Sequence, residues 1–319
     1  MLYAPPVMPS RHRLLLAAAL LGCVLGLGCG DDADAESTQR AGGDNVAAVV
    51  GERLLEGEPL DALAVLRQSH ASVRERLGPH ALTCETTLSL APTRPAGPNP
   101  AVETPVPPTQ AIHDTVALRW ETPDDAGLRF ALEQHNDKDR GRSVVVTNAT
   151  LYAKLEHRAW THHPVESEVH ELWLDDAWRS AHDALEFLLP GAEVTTEAAP
   201  GEGWNGGDAV RLTLSRGRGT TPPGRTEGWR TKVAFSALSG SLLIDVQTGA
   251  WLAVDANASY SVEGGAGGPL AGEFAVRGRV APSLPEAPSV TVPTGAVALP
   301  ERHRYEQERK RLLDGLAAP

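Results

Sequence analysis

The sequence predicts an α+β fold: a large curved antiparallel sheet, or open half-barrel, with helices packed on its concave face. Three observations predict it. Apolar and polar residues alternate with period two over most of residues 113–280, and one long segment of helical period interrupts them. The chain also contains 31 glycines and 25 prolines in 319 residues, a composition typical of many turns and short strands rather than of a helical bundle.

Residues 1–28 have the three zones of an export signal. Arg11 and Arg13 supply the basic start, the apolar run extends from Leu14 to Leu27, and small residues precede a cysteine. The run is shorter than the roughly 20 residues needed to span a bilayer as a helix. We therefore expect this segment to be removed, not to remain as a transmembrane anchor.

Two cysteines are candidates for lipidation, because Gly22-Cys23 and Gly28-Cys29 both end a stretch that resembles a lipobox. Cys29 is favoured, since Cys23 is followed by further apolar residues while Cys29 is followed by an acidic, glycine-bearing tether over residues 29–44. Acyl chains such as palmitate on this cysteine would form a durable membrane anchor. Gly30 after Cys29 favours the outer over the inner membrane of a bacterial envelope. The alternatives are lipidation of Cys23 and an ordinary cleaved signal.

The remaining residues, 45–319, are predicted to form a single α+β domain of ordinary size. Helical spacing runs to Leu77, where Gly78-Pro79 ends it, and a strand follows from Ala81 to Leu90. Seven prolines mark residues 91–111 as a long loop, because proline cannot donate to a sheet ladder. A charged helix over 301–313 closes the chain. Cys84, in the first strand, is expected to be a small buried residue.

Alternating strands follow from His113 onward, and each has one apolar and one hydrated face. Hairpin turns are predicted at residues 123–127, at 137–141 and at Gln247-Thr248-Gly249. Asn148 and Asn257 match the glycosylation pattern by chance and are placed on strands. The predicted strands lie at residues 116–120, 128–132, 144–146, 151–155, 210–214, 233–235, 242–246, 252–262 and 274–276.

Residues 168–189 are predicted to form the one clearly amphipathic helix. Leu174, Trp178 and Leu185 belong to its apolar stripe, while charged residues occupy the other positions. Such a stripe requires an apolar partner, and the only surface wide enough is the apolar face of the sheet. The helix is therefore expected to lie in the concavity of the sheet.

This order of elements resembles the LolA-like lipoprotein-carrier superfamily, including the lipid-carrying lipoproteins of the LppX and LprG type. The resemblance covers residues 58–282 and rests on three stretches: the leading helix and first strand, Arg142-Ser-Val-Val-Val through Trp160 into the long helix, and Ser239 to Leu252 with its Thr-Gly turn. It implies an unclosed antiparallel barrel with helices at its mouth and an apolar ligand inside. The proline-rich segment 91–111 and the helix 301–313 depart from the family pattern.

Ten apolar positions are predicted to face the interior and to line a site for a lipid or acyl chain. The alternative is that they pack on one another as a filled core. They are Trp120, Phe130, Leu132, Leu155, Trp178, Leu185, Leu214, Phe235, Ile244 and Val254.

The sequence contains no recognisable nucleophile elbow, phosphate-binding loop or zinc-protease motif, so a non-enzymatic role without cofactor is expected. His157, His162, His163 and His170 are interpreted as solvated loop histidines and not as metal ligands. The net charge is −12, and removal of residues 1–28 makes it −14, which argues against nucleic acid as a partner. The sequence thus favours a membrane-anchored apolar-ligand carrier, with a structural or protein-binding lipoprotein as the alternative.

Overall fold

The fold is known from a computed structural model. The export signal, Cys23, Cys29, the acidic tether, most of the proline-rich loop and the closing helix lie outside the residues that it describes. All described residues belong to the unit Gly43–Pro319. They are residues 51, 54–55, 59–66, 68–93, 109–121, 129–138, 140–165, 169–217, 233–262, 269–283 and 290–299.

Twelve strands of the described chain form one open sheet in the order β12-β6-β5-β4-β3-β2-β1-β11-β10-β9-β8-β7. Every neighbouring pair is antiparallel except β12 and β6, which run parallel, so the expected all-antiparallel sheet is in fact mixed. The strands are β1 His80–Pro92, β2 Gln110–Glu121, β3 Arg129–Asn136, β4 Gly141–Thr147, β5 Thr150–Leu155, β6 Thr161–Pro164, β7 Ala192–Ala199, β8 Ala209–Arg216, β9 Val233–Asp245, β10 Trp251–Val262, β11 Leu270–Pro282 and β12 Val297–Ala298.

Three α-helices are described over their full length: α1 Pro59–Leu66, α2 His70–Leu77 and α3 Val169–Leu188. Residues 51 and 54–55 are also helical. Short 3₁₀ turns occur at Leu189–Gly191 and Trp204–Gly206. The predicted amphipathic helix over 168–189 is therefore confirmed within one residue at each end. None of the helices in these ranges has the length and apolar character needed to cross a bilayer.

The hairpin chemistry read from the sequence is confirmed where the turns are described. β9 ends at Asp245 and β10 begins at Trp251, and Gly249 between them has a φ of +69°, which favours glycine. α2 ends at Leu77 and is capped by Gly78, also at positive φ, whose backbone N–H donates to the carbonyl of Arg74. The predicted turn at residues 123–127 lies outside the described residues, although β2 and β3 pair as the hairpin requires.

Two parts of the strand prediction are wrong. Asn148 and Ala149, placed on a strand, form the two-residue turn between β4 and β5 with φ of 51° and 55°. The strands β6, β7 and β12 were not predicted. β6 and β7 are rich in polar residues, and β12 has only two residues, so none of them carries a strong alternating apolar signal.

The core lies between α3 and one face of the sheet. The stripe residues Leu174, Trp178 and Leu185 are almost completely buried, and α3 contacts strands β1, β2, β3 and β11. α1 and α2 contribute Leu63, Val73 and other residues to the same cluster. Cys84 is buried as predicted, and burial raises the pKa of its thiol, so it remains protonated at neutral pH.

Candidate functional site

Nine of the ten predicted interior positions belong to one continuous apolar layer between α3 and the sheet. Eight are buried members of the core, and Phe235 is partly buried and packed against it. The layer extends from β3 through β1 to β8, so residues distant in sequence meet there. The eight are Trp120, Phe130, Leu132, Trp178, Leu185, Leu214, Ile244 and Val254.

Leu155 is the exception, and its predicted interior position is wrong. It is the last residue of β5 and its side chain is 63% exposed, whereas Leu151 on the same side of that strand is fully buried. The alternating pattern assigns a residue to one face of the strand. It does not show how far along the strand other elements pack over that face. Leu155 therefore lies on the surface.

Four rings meet where α3 crosses the sheet, and we call them the indole cluster: His80, Trp120, Trp178 and Trp251. The ring centroids of His80 lie 5.2 Å from Trp120 and 5.4 Å from Trp178, and Trp178 lies 5.7 Å from Trp251. All four side chains are buried. The cluster thus forms a contiguous aromatic part of the apolar layer.

Strand register explains how the cluster assembles. His80 opens β1 directly opposite Trp120 on β2. A register shift between Trp251 and Ala253 at the start of β10 lets the Trp251 ring reach Trp178 inside. On β11, a Cβ at Gly278 would come within 3.0 Å of the Trp251 ring, so the glycine leaves the room that this indole occupies.

The indole cluster contains four buried hydrogen-bonding atoms that have no partner among the described residues. They are Nε2 of His80 and the Nε1 atoms of its three tryptophans. Nδ1 of His80 lies 2.7 Å from the carbonyl oxygen of Gly78, and burial lowers the pKa of His80 to about 4. The neutral imidazole therefore donates from Nδ1, and its Nε2 is an acceptor.

Trp204 shows the usual arrangement by contrast. It is also buried, but its Nε1 donates to the carbonyl of Leu77 at 2.8 Å. Its backbone N–H donates to Asp245. Buried indoles in this protein can therefore be satisfied by the protein itself, which makes the three that are not satisfied unusual.

A second aromatic group lies at the C-terminal end of α3. The ring centroid of Phe187 lies 5.3 Å from Phe235, 5.3 Å from Tyr260 and 5.0 Å from Phe274, all in edge-to-face geometry. Burial raises the pKa of Tyr260, so its phenol is protonated at any physiological pH. These rings pack directly against one another.

Charged residues tie α2 to the first turns of α3. The buried guanidinium of Arg74 bonds Glu171 and, at 3.1 Å, Asp175. Burial alone would raise the pKa of Asp175, but the hydrogen bond from His70 and the charge of Arg74 outweigh it, so that pKa is lowered. The sequence analysis missed this ion pair, because its partners are about 100 residues apart.

Two further groups of polar residues lie away from this layer. His182, Asp183 and Glu186 offer ligand atoms within 4.8 Å of one another on α3. Nδ1 of His182 lies 3.8 Å from Asp183, and its Nε2 lies 3.9 Å from Glu186. His162 and His163 are adjacent on β6, where Nδ1 of His163 lies 2.8 Å from the carbonyl oxygen of Pro164.

On the solvent face of the sheet, β1, β9, β10 and β11 with the 202–206 turn line an open groove of about 740 Å³. Both signs of charge occur in it, and Asp255 lies 3.5 Å from Arg277. Its lining also includes apolar residues such as Leu243, Leu252 and Val280.

Comparisons with known proteins give little. No family model and no curated protein matches the chain. Among solved structures, the crystal structure of the outer membrane protein OprG from Pseudomonas aeruginosa aligns at 8% identity over 65% of this chain and 97% of that chain, with a TM-score of 0.08. A likeness at this level carries no argument, and the resemblance to the LolA-like superfamily stays a prediction.

Proposed function

We propose that this chain is a membrane-anchored bacterial envelope lipoprotein that binds or carries an apolar ligand, a lipid or an acyl chain, between α3 and the concave face of its sheet. The role is non-enzymatic. The observation that carries the proposal is the convergence of nine predicted lining positions on one apolar layer under a single helix. Each methylene buried there would contribute about 0.8 kcal/mol.

The contacts of α3 would allow this helix to move as a cover over the apolar layer. Its first two turns are held by ion pairs, of Arg74 with Glu171 and Asp175 and of Arg142 with Asp176. The three carboxylates are 43–45% exposed, so they can be hydrated when the helix shifts. The remainder is held by apolar contacts, which an acyl chain can replace with contacts of the same kind. A ligand therefore enters by displacing side chains along α3.

The anchor is a lipid on Cys29, with the outer membrane favoured. In the full-length chain expressed in a bacterium, Cys29→Ala should abolish incorporation of an alkyne-tagged palmitate, because the modified thiol is lost. Cys23→Ala is the matched control and should label as strongly as wild type. Labelling that survives Cys29→Ala but disappears in Cys23→Ala would move the anchor to Cys23.

The ligand is tested by organic extraction of the purified full-length chain, followed by mass spectrometry of the released lipid. We expect roughly one non-covalent acyl lipid per chain, and less in Trp178→Ala, because that substitution removes a wall of the layer. Leu172→Ala is the control, since Leu172 is an exposed residue of the same helix. Bare protein that also fails to take up added lipid would contradict the proposal.

The second candidate is a structural or protein-binding lipoprotein with a filled core. The direct ring contacts of Phe187 with Phe235, Tyr260 and Phe274 favour it, since they leave no gap at that end of the layer. In this case the extraction yields no lipid, and the contact surfaces are the exposed loops or the predicted terminal helix.

A further inference from the structure

The indole cluster destabilises the described fold, because it buries polar atoms without hydrogen-bond partners. A buried donor or acceptor without a partner costs about 1 to 3 kcal/mol, and this cluster holds four such atoms in adjoining rings. Buried groups of this kind are normally satisfied by protein, by ordered water or by a ligand. Trp204 shows that this fold satisfies a buried indole where nothing else is needed.

The chemistry of the four atoms defines what would satisfy them. Three are N–H donors, and Nε2 of His80 is an acceptor because Nδ1 is engaged with the carbonyl of Gly78. All four groups are uncharged when His80 is neutral. Arg74 is already paired with Glu171 and Asp175, so it offers no free positive charge to an anion. The complementary group is an uncharged one that both accepts and donates.

We infer that the indole cluster binds the hydroxyl group of an apolar molecule, either an alcohol or a protonated carboxylic acid. The oxygen accepts from one or two of the indoles, and its proton is donated to Nε2 of His80. The apolar remainder lies along the layer between α3 and the sheet. This inference rests on the proposed function and adds to it the polar group of the ligand.

The position of the cluster agrees with this role. It meets α3 at Trp178, in the middle of the helix, while the packed rings around Phe187 lie at the C-terminal end. A chain running along the helix would thus have its polar group at the indoles and its tail toward Leu185. An interior with a polar end of this kind fixes the orientation of the ligand.

The test uses the full-length chain with ¹⁵N-labelled tryptophan, whose seven indole signals are assigned by single Trp→Phe variants. The probes are 1-decanol, methyl decyl ether, decane and decanoic acid. Decanol should shift the indole signals of Trp120, Trp178 and Trp251, and the signal of Trp204 should stay in place because its N–H is already bonded. The ether, which cannot donate, should bind about tenfold more weakly.

Two variants test the role of His80 in binding decanol. His80→Phe removes the acceptor and should reduce the affinity for decanol to that for the ether, while Trp160→Phe, outside the cluster, should leave it unchanged. Should His80→Phe not fold, the comparison of decanol with the ether in wild type decides alone. If decanoic acid at low pH shifts the same indole signals as decanol, the site also binds the hydroxyl group of a protonated carboxylic acid.

Three results would overturn the inference. Equal affinity for decanol, ether and decane with unmoved cluster signals would refute the hydroxyl site and leave the proposed function standing. Water cross-peaks on the three indoles that persist at saturating decanol would show that ordered water fills the site. Failure of every probe to bind would refute the proposed function itself.

Discussion

Replacing Asp245 with alanine is expected to lower the free energy of unfolding by about 3 kcal/mol or more. The carboxylate is completely buried at the end of β9 and accepts three hydrogen bonds. One comes from the backbone N–H of Trp204 at 2.7 Å, and two come from the backbone N–H and hydroxyl of Thr248 at 2.6 Å each. The substitution leaves all three donors buried and unsatisfied.

Urea denaturation of the purified chain measures this effect, and Asp255→Ala is the matched control. Asp255 lies on the neighbouring strand β10, is 57% exposed and contacts Arg277 at 3.5 Å, so its loss should cost less than about 1 kcal/mol. Equal stability of the two variants would show that the Asp245 network does not join the 204 turn to the β9–β10 hairpin.

Acidification from pH 7 to pH 4 is expected to remove about 3 kcal/mol of stability through His80 alone. Burial is the main reason why the pKa of this histidine is lowered from 6.5 to about 4 in the folded protein, and the nearby charge of Arg74 adds to the effect. Between these values the unfolded chain binds a proton that the folded chain does not. Stability is therefore fully present above about pH 6.5 and falls with pH until the folded pKa is reached.

His80→Phe isolates this contribution, because it keeps a ring in the cluster and removes the proton. The difference in unfolding free energy between wild type and variant should change by about 3 kcal/mol between pH 7 and pH 4. His157→Asn is the control, since His157 is exposed and asparagine tolerates its φ of +58°. A pH-independent difference for His80→Phe would mean that His80 titrates normally in the folded chain.

Much of the fold follows from periodicity in the sequence. The stripe of α3 and the alternation of β2, β3 and β10 each bury enough apolar surface to dictate which face turns inward, so Trp178, Phe130 and Val254 could be placed correctly. Strands without an apolar face of this kind were not predicted. β7 carries glutamates and threonines at the edge of the sheet, where only one neighbour contributes a ladder.

The indole cluster was harder to predict for reasons that lie in local geometry. Counting back by twos from Val254 makes Leu252 the inward residue, but Trp251 is buried as well, at the register shift that begins β10. His80 follows a Gly-Pro turn and looks like a surface residue. Arg74 and Arg76 look alike on α2, but Arg74 is buried and bonds α3, whereas Arg76 bonds the carbonyl of Thr248.

The most direct test of the account is photolabelling of the full-length chain with a decanol analogue that carries a diazirine on its tail. The adducts are mapped by peptide mass spectrometry. The account predicts labels on α3 and on inward residues such as Leu185 and Phe130, in competition with unlabelled decanol. Labels confined to groove residues such as Leu243 and Ala253, or no competable label, would contradict binding between α3 and the sheet.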